Sequence, residues 1–421
     1  MQFLDLLITN TGTVHTMTGP AFRRGVEMLD TSPLVGGVVG IRDGMIAFVG
    51  SRASLENSSF SIGPSTVQVD ARGGDVIPGF VDSHTHTIWL GDRRRDFADL
   101  LKGVSYSEIT ARGGGINTTV RATRGATVEQ LVEGATGRLQ RMLDYGTTSV
   151  ETKSGYALDT EGELRMLEAA DRLRASTKQN LVITFLGAHL VPFDYKDRRG
   201  DYVRLVLDEM LPQVASQGHA RFNDVFMEHN AFSSDETRAI LSRGSDLGLR
   251  PRLHCDELSE TGGAGLAVEL GASSCDHLEY ISDAGIAALA DSHTVATLMP
   301  GTSFYLNLPR HAPFRKLYDA GCIIALATDF NPGTSPSLSM QGAFALAVLL
   351  LRMPIEVALC ACTVNAAYSL GLENAVGTIE EGKRADIVVL KGSVSDMAYA
   401  WGENHCAHVI CAGESAEHRR A

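Results

Sequence analysis

Val76-Ile77-Pro78-Gly79-Phe80-Val81-Asp82-Ser83-His84-Thr85-His86 is the stretch on which the fold of this 421-residue chain turns. The residues from Val76 to Val81 read as one short apolar strand, which runs out into two histidines separated by a threonine. Residues i and i+2 of an extended chain point to one face with Cα atoms ~6.5–7 Å apart. Two imidazoles so spaced can converge on one metal ion. An isolated H-x-H says little; its weight comes from its place at the carboxyl end of the first of a series of strands.

Downstream, short apolar runs recur, each followed by a helical pattern. The strands read as Val76–Val81, Thr147–Glu151, Val182–Leu186, Val225–Glu228, Arg252–His254, Ser273–His277, Thr294–Met299 and Ile323–Thr328. Helical patterns lie between them at Val128–Asp144, Glu161–Ala175, Tyr202–Ser216 and Ser234–Leu247. Such alternation over ~300 residues predicts an α/β fold, a (β/α)8 TIM-like barrel. An open doubly wound sheet would carry a glycine-rich phosphate turn after its first strand, and none follows here.

Both flanks read as β-structure. Leu4–Asn10 alternates, Gly37–Ile41 and Met45–Gly50 flank an Asp43-Gly44 hairpin turn, and Thr66–Asp70 is a further strand. Gly19–Leu34 has no period and reads as a loop. After Leu372 come the strands Ile387–Leu390 and His408–Cys411. The organisation expected is therefore a small β-sandwich-like domain built from both chain ends, residues 1–75 and 373–421, interrupted by a barrel at 76–372.

Hydrophobic residues make up 44% and charged residues 21% of the chain, a globular composition. The net charge of −13 repels phosphate backbones and anionic membrane surfaces, so neither nucleic acid nor membrane is expected as a partner. The longest apolar run, Ala343–Leu351, falls well short of the ~20 residues a membrane span needs. Seven cysteines without a C-x-x-C pair, and an N-terminus without the pattern of a signal peptide, lead us to expect a cytoplasmic protein.

The carboxyl ends of the strands collect the chemistry. The third ends in His189, the fifth in Leu253-His254-Cys255-Asp256-Glu257, the sixth in Cys275-Asp276-His277 and the eighth in Ala327-Thr328-Asp329. One such histidine could be a neutral core residue; five in register, with His84 and His86, argue for a site. His84, His86, His254 and Asp329 compose a mixed nitrogen and oxygen ligand set of the kind that holds a hydrolytic zinc or iron ion. Glu257 is either a proton carrier beside an activated water or a solvated loop carboxylate. His277 either bonds the developing oxyanion or supports its neighbours.

Three strand-end loops add candidate substrate contacts. Gly91-Asp92-Arg93-Arg94-Arg95 offers a guanidinium for a carboxylate. Glu151-Thr152-Lys153-Ser154-Gly155-Tyr156 offers a phenol and an ammonium, and Asp329-Phe330-Asn331-Pro332-Gly333-Thr334 offers an amide and turn N–H groups. Each could be turn chemistry alone; their shared rim favours substrate contact.

V-I-P-G-F-V-D-S-H-T-H (Val76 to His86), L-H-C-D-E (Leu253 to Glu257), A-T-D-F-N-P-G (Ala327 to Gly333) and G-x-x-E-x-G-K-x-A-D (Gly377 to Asp386) together resemble the metal-dependent amidohydrolase superfamily. A narrower likeness, to a ring-opening branch that acts in histidine degradation, rests on G-D-R-R-R-D-F, G-G-G-I-N-T-T-V-R-A-T-R, E-T-K-S-G-Y, L-G-A-H-L-V-P and D-F-N-P-G-T-S-P. The resemblance implies one zinc or iron ion per subunit, held by His84, His86, His254 and Asp329. It implies that Arg93, Tyr156 and His189 hold the ring and propionate of 4-imidazolone-5-propanoate, and that Asn331, Gly333 and Thr334 contact substrate and product. Glu257, His277 and Asp329 would do the catalytic work, yielding N-formimidoyl-L-glutamate, in a homodimer.

Two alternatives stand beside this expectation. A ring deaminase of the same superfamily would share the ligands but would not need an Arg93 and Tyr156 clamp for a carboxylate. A catalytically silent scaffold would be expected to have lost a ligand, and none is missing. Strand four ends in Glu228, which could in principle bridge a second ion. Lys153, on strand two, is not the carboxylated lysine that bridges two ions in some relatives.

Overall fold

The computed structural model describes residues 2–104, 108, 109, 112 and 114–416, so Gly113 of the G-G-G-I-N motif lies outside the described residues. Eight parallel strands form one sheet in sequence order: β1 (Phe80–Asp82), β2 (Thr147–Lys153), β3 (Asn180–Ala188), β4 (Phe222–Met227), β5 (Arg250–Cys255), β6 (Ser274–His277), β7 (Val295–Leu298) and β8 (Ile324–Leu326). β1 and β8 meet just past their ends. Asp329 N donates to His84 O at 3.1 Å and His86 N to Phe330 O at 2.9 Å, while Thr328 donates its N–H and hydroxyl to the buried Asp82 carboxylate at 3.0 and 2.6 Å. The seam that closes the barrel is thus made by the residues that carry the histidine pair and Asp329.

Helices cover the outside for local reasons. Val128–Asp144 starts at Thr127, whose hydroxyl accepts from Gln130 N while the Gln130 side chain accepts from Thr127 N, a reciprocal cap. It buries Val128, Leu131, Ala135, Leu139 and Met142, spaced as one helical face. The helix expected over Tyr202–Ser216 is present but uneven, passing from Arg199–Leu205 through a π turn at Val206–Met210 to Leu211–Gln217. Pro212 sits in the first turn of the last segment; lacking an N–H, it cannot continue an unbroken α ladder.

The two chain ends build a sandwich. Leu6–Thr9, Val38–Arg42, Met45–Gly50 and Val67–Asp70 form a four-stranded sheet. Facing it is a six-stranded sheet of Pro33–Val35, Thr13–His15, Val76–Pro78, Ile387–Leu390, Cys406–Cys411 and Glu414–Ser415. Ile8, Val39, Ile41 and Val69 of the first pack against Val14, Val76, Ile387, Val389 and Ile410 of the second in one core. The expected hairpin is there, with Asp43 and Gly44 both at positive φ (51° and 75°) as a tight turn of primed type requires.

Two local readings change. The strand expected over Val76–Val81 is two strands. Val76–Pro78 pairs antiparallel with Ile387–Val389 in the sandwich, and only Phe80–Asp82 enters the barrel. The break is at Gly79, where a Cβ would stand 2.2 Å from Thr148 Oγ1. The aperiodic segment Gly19–Leu34 is also ordered. It contains one 3-10 turn at Gly25–Leu29, and Pro33 and Leu34 open a strand that continues to Val35. Polar pins hold it where apolar period is missing. Buried Arg23 donates to Met17 O and Thr18 O at 2.6 and 2.8 Å, and Asn365 clasps Arg23's backbone and Ile324 O on β8. Among the described residues no helix is long and apolar enough to cross a membrane.

Candidate active site

The carboxyl ends of the strands bring all five histidines into ring contact. Centroids are 5.6 Å apart for His84 and His86, 4.3 Å for His84 and His254, 5.4 Å for His254 and His277, and 5.4 Å for His86 and His189. Two triplets of possible ligand atoms share His84, one with His86 and Asp329, the other with His254 and His277; within each, all atoms lie within 4.8 Å of one another. Asp329 Oδ1 is 3.7 Å from His84 Nε2 and 3.5 Å from His86 Nε2.

Buried carboxylates behind the rings orient them. His84 Nδ1 donates to Asp276 Oδ2 at 2.7 Å, and His254 Nδ1 stands 3.0 Å from Asp224 Oδ2. With its Nδ1 bonded to a carboxylate, the His84 ring keeps its Nε2 lone pair for the centre, as metal-bound histidines commonly do, and the carboxylate beside His254 Nδ1 favours the same orientation. Both Nε2 atoms are buried with no hydrogen-bond partner. Burial, reinforced by the crowding of the other rings and by the Lys153 ammonium, holds the imidazoles of His84, His86 and His277 well below their ordinary pKa, hence neutral and able to ligate. Partnerless inward nitrogens, neutral rings and one adjacent carboxylate fit a single divalent cation bound by nitrogen and oxygen.

The acids of the site are shifted the other way. Burial raises Asp329 to about 6, against hydrogen bonds to its carboxylate from Thr302 Oγ1 at 2.8 Å and Asn331 Nδ2 at 3.0 Å. Burial, and then the nearby carboxyls of Glu279, Asp329 and Glu228, push Glu257 well above the usual range. Glu257 Oε2 is 3.7 Å from His277 Nε2. Backbone strain gathers at the same strand ends, with φ at 85° for His277, 72° for Leu278 and 50° for Asp329.

A second wall carries Arg93, Tyr156 and His189. Arg93 is nearly buried, donates from Nη2 to Thr119 Oγ1 at 2.8 Å, and has its guanidinium carbon 5.7 Å from the Tyr156 ring centroid. Its Nε has no partner, and among the described residues no carboxylate pairs with it. Gly333 lets the guanidinium in, since a Cβ there would meet Nη1 at 2.1 Å. Tyr156 packs edge-on against both His86 and His189 at 5.7 and 5.4 Å. Burial lowers His189 to about 3, and its Nδ1 donates to Gly155 O at 2.9 Å.

Other candidate residues are tied into their own surroundings. Lys153 is not a rim ammonium: it is fully buried below the site, bound to Glu151 Oε1 at 2.8 Å and Asp224 Oδ2 at 2.9 Å. The Asn331 side chain is engaged by its own turn, accepting from Gly333 N and Thr334 N at 2.8 and 2.7 Å. The Glu228 carboxylate accepts from the backbone N–H groups of Leu258 and Ser259 at 3.0 and 3.2 Å and from the Ser259 hydroxyl. It anchors the loop after Glu257 and does not enter either ligand triplet. Sequence reading passed over Asp224 as a site residue, and left Asp276, Thr302 and Glu279 without a role. A charged residue within a short buried strand is the available signal for the two aspartates.

Comparison with known proteins agrees with this geometry. Residues 76–416 match the amidohydrolase family. An imidazolonepropionase of Myxococcus xanthus is 45% identical over 417 residues, covering 99% of this chain and 98% of that protein. One of Symbiobacterium thermophilum is 46% identical over 391 residues, covering 93% and 92%. Among solved structures, the guanine deaminase of E. coli superposes with a TM-score of 0.71 at 14% identity over 97% of this chain and 98% of that one, a likeness of fold. The chain belongs to the amidohydrolase family and, within it, to the imidazolonepropionases, hydrolases acting on a carbon–nitrogen bond.

Proposed function

We propose that this chain hydrolyses the ring C–N bond of 4-imidazolone-5-propanoate to N-formimidoyl-L-glutamate. The observation that carries the reading is the buried Arg93 guanidinium, which among the described residues pairs with no carboxylate and stands over Tyr156 beside the histidine cluster. A buried cation without a counter-ion is costly unless a ligand brings the charge, and the propionate of this substrate does so in a protein otherwise strongly acidic. A neutral purine or pyrimidine ring would leave Arg93 unpaired, which counts against the deaminase alternative.

His84, His86, His254 and Asp329 would hold the metal, zinc or iron. When bound, that ion supplies Lewis acidity to the ring carbonyl and acidifies a water for attack. The chain's residues do the rest. Arg93 and Tyr156 orient the propionate, and neutral His189 faces the ring. Asp329, raised only to about 6, is ionised at neutral pH and takes a proton from the attacking water. His277 hydrogen-bonds the oxygen that gains charge. Glu257, whose carboxyl is pushed well above the usual carboxylate range by burial and by its neighbouring carboxyls, delivers a proton to the departing ring nitrogen. Water adds to the carbonyl carbon, the C–N bond opens, and the new carboxylate and the formimidoyl nitrogen share one product.

Loss of the ultraviolet absorbance of freshly prepared 4-imidazolone-5-propanoate is the direct test, with His254→Ala as control. Turnover that vanishes in the variant and yields N-formimidoyl-L-glutamate is the expected result. Failure of metal-replete protein to consume the substrate would overturn the assignment.

A further inference from the structure

Beneath the ligands lies a cluster that the reaction above does not use. Lys153, Glu151, Asp224, Arg252 and Asp276 are five charged side chains with no solvent exposure. Burying so many charges costs more than an apolar core of equal volume would. Such a cluster needs a reason to persist, and its connections supply one.

The connections run to the ligands by two routes. In one, Arg252 Nη2 donates to Ser83 O at 2.8 Å and stands 3.3 Å from Asp276 Oδ2, the atom that receives His84 Nδ1. In the other, Lys153 Nζ donates to Glu151 Oε1 at 2.8 Å. The second oxygen of Glu151 accepts from Thr85 N at 3.0 Å, and Thr85 is the residue between His84 and His86. The same ammonium lies 2.9 Å from Asp224 Oδ2, which faces His254 Nδ1 at 3.0 Å. β1, which runs out into His84 and His86, and β5, which carries His254, are four strands apart in an eight-stranded sheet. No backbone ladder joins them; Lys153, on β2, reaches both.

We propose that Lys153 is a positioning residue for the metal centre, joining through Glu151 and Asp224 the His84-Thr85-His86 backbone on one side of the barrel to His254 on the other. Without its ammonium, Asp224 and Glu151 face one another as two buried carboxylates, and the carboxylate that stands 3.0 Å from His254 Nδ1 is no longer held in place. The inference rests on the metal-site reading above and deepens it.

The test measures metal affinity directly, by chelator competition with Zn(II), together with thermal unfolding of the metal-free protein. Two variants are compared with the wild type: Lys153→Met, and the charge-balanced Lys153→Met/Glu151→Gln, in which Gln can still accept from Thr85 N. Outer-shell partners of metal ligands typically govern affinity by ~10–100-fold. We expect the Zn(II) dissociation constant to rise by about that factor in a variant whose metal-free form melts as the wild type does. A folded variant that binds Zn(II) as tightly as the wild type overturns the inference. So does failure of both variants to fold, since that assigns the cluster to the scaffold. Absence of Zn(II) binding by the wild type itself would overturn the metal-site reading, and the inference with it; wild-type binding left unchanged in a folded variant sinks only the role of Lys153.

Discussion

A Cβ on Gly333 would lie 2.1 Å from Nη1 of Arg93, so the loop after β8 sets how far the guanidinium can swing into the site. Two segments far apart in the chain are matched here, an arginine that needs room and a glycine that leaves it. Gly333→Ala must displace the Arg93 head group without touching its charge. Charge-assisted hydrogen bonds contribute ~1.5–3 kcal/mol, so loss of the propionate contact should raise KM ~10–100-fold. Steady-state kinetics decide it. A KM within twofold of wild type would show that Arg93 does not hold the substrate.

Glu257→Gln keeps the shape of a buried side chain whose carboxyl is pushed well above the usual carboxylate range by burial, and removes its ability to give up a proton. General acid–base groups contribute ~10²–10⁴-fold. We expect kcat to fall by that range while metal content, measured by elemental analysis, stays at the wild-type level. A kcat within threefold of wild type would place the proton path elsewhere.

Much of this site is legible in the sequence, and the reasons for the misses are physical. His84, His86, His254 and Asp329 stand out because ligand-type residues recur at the ends of successive strands, and parallel topology then gathers those ends without further information. Lys153 reads as a rim cation because it follows the apolar part of β2. Side-chain alternation alone does not say that the strand runs on through Lys153 and turns it into the barrel toward Asp224. Spacing likewise does not reveal that the amide oxygen of Asn331, a proposed substrate contact, also accepts from Gly333 N and Thr334 N in its own turn. The single strand read over Val76–Val81 divides at Gly79 because Thr148 packs where a side chain would stand, a tertiary fact invisible to local pattern.

Glu228 bears on metal stoichiometry. Its carboxylate receives two backbone N–H groups and a hydroxyl from the Leu258-Ser259 segment, so it is engaged in holding the loop next to Glu257. Elemental analysis should therefore find one ion per chain. Glu228→Ala should lower kcat ~10-fold or more, as displacement of a proton-transfer group does, with that single ion retained. Two ions per wild-type chain, one of them lost in Glu228→Ala, would instead make Glu228 a ligand.

Asp75 links the two chain ends, and its titration should appear in the acid stability of the fold. Its carboxylate accepts from Thr13 N at 2.9 Å and Val394 N at 3.0 Å, and lies 3.5 Å from His15 Nε2. Burial pushes its pKa up, but the His15 ring and these two N–H groups outweigh burial and hold the group below the ordinary value. A group whose folded pKa is lowered stabilises the fold above its unfolded value of ~3.9, and that stabilisation is lost as pH falls through the folded value. Asp75→Asn should cost ~1–3 kcal/mol at neutral pH, because an amide cannot accept from both N–H groups and the ring as a carboxylate does. The gap between variant and wild type should narrow below ~pH 4 as the wild-type carboxylate takes up its proton. Denaturant unfolding at a series of pH values measures it. A gap that stayed constant from neutral pH down to ~pH 3 would mean that the ionised carboxylate contributes nothing beyond its shape.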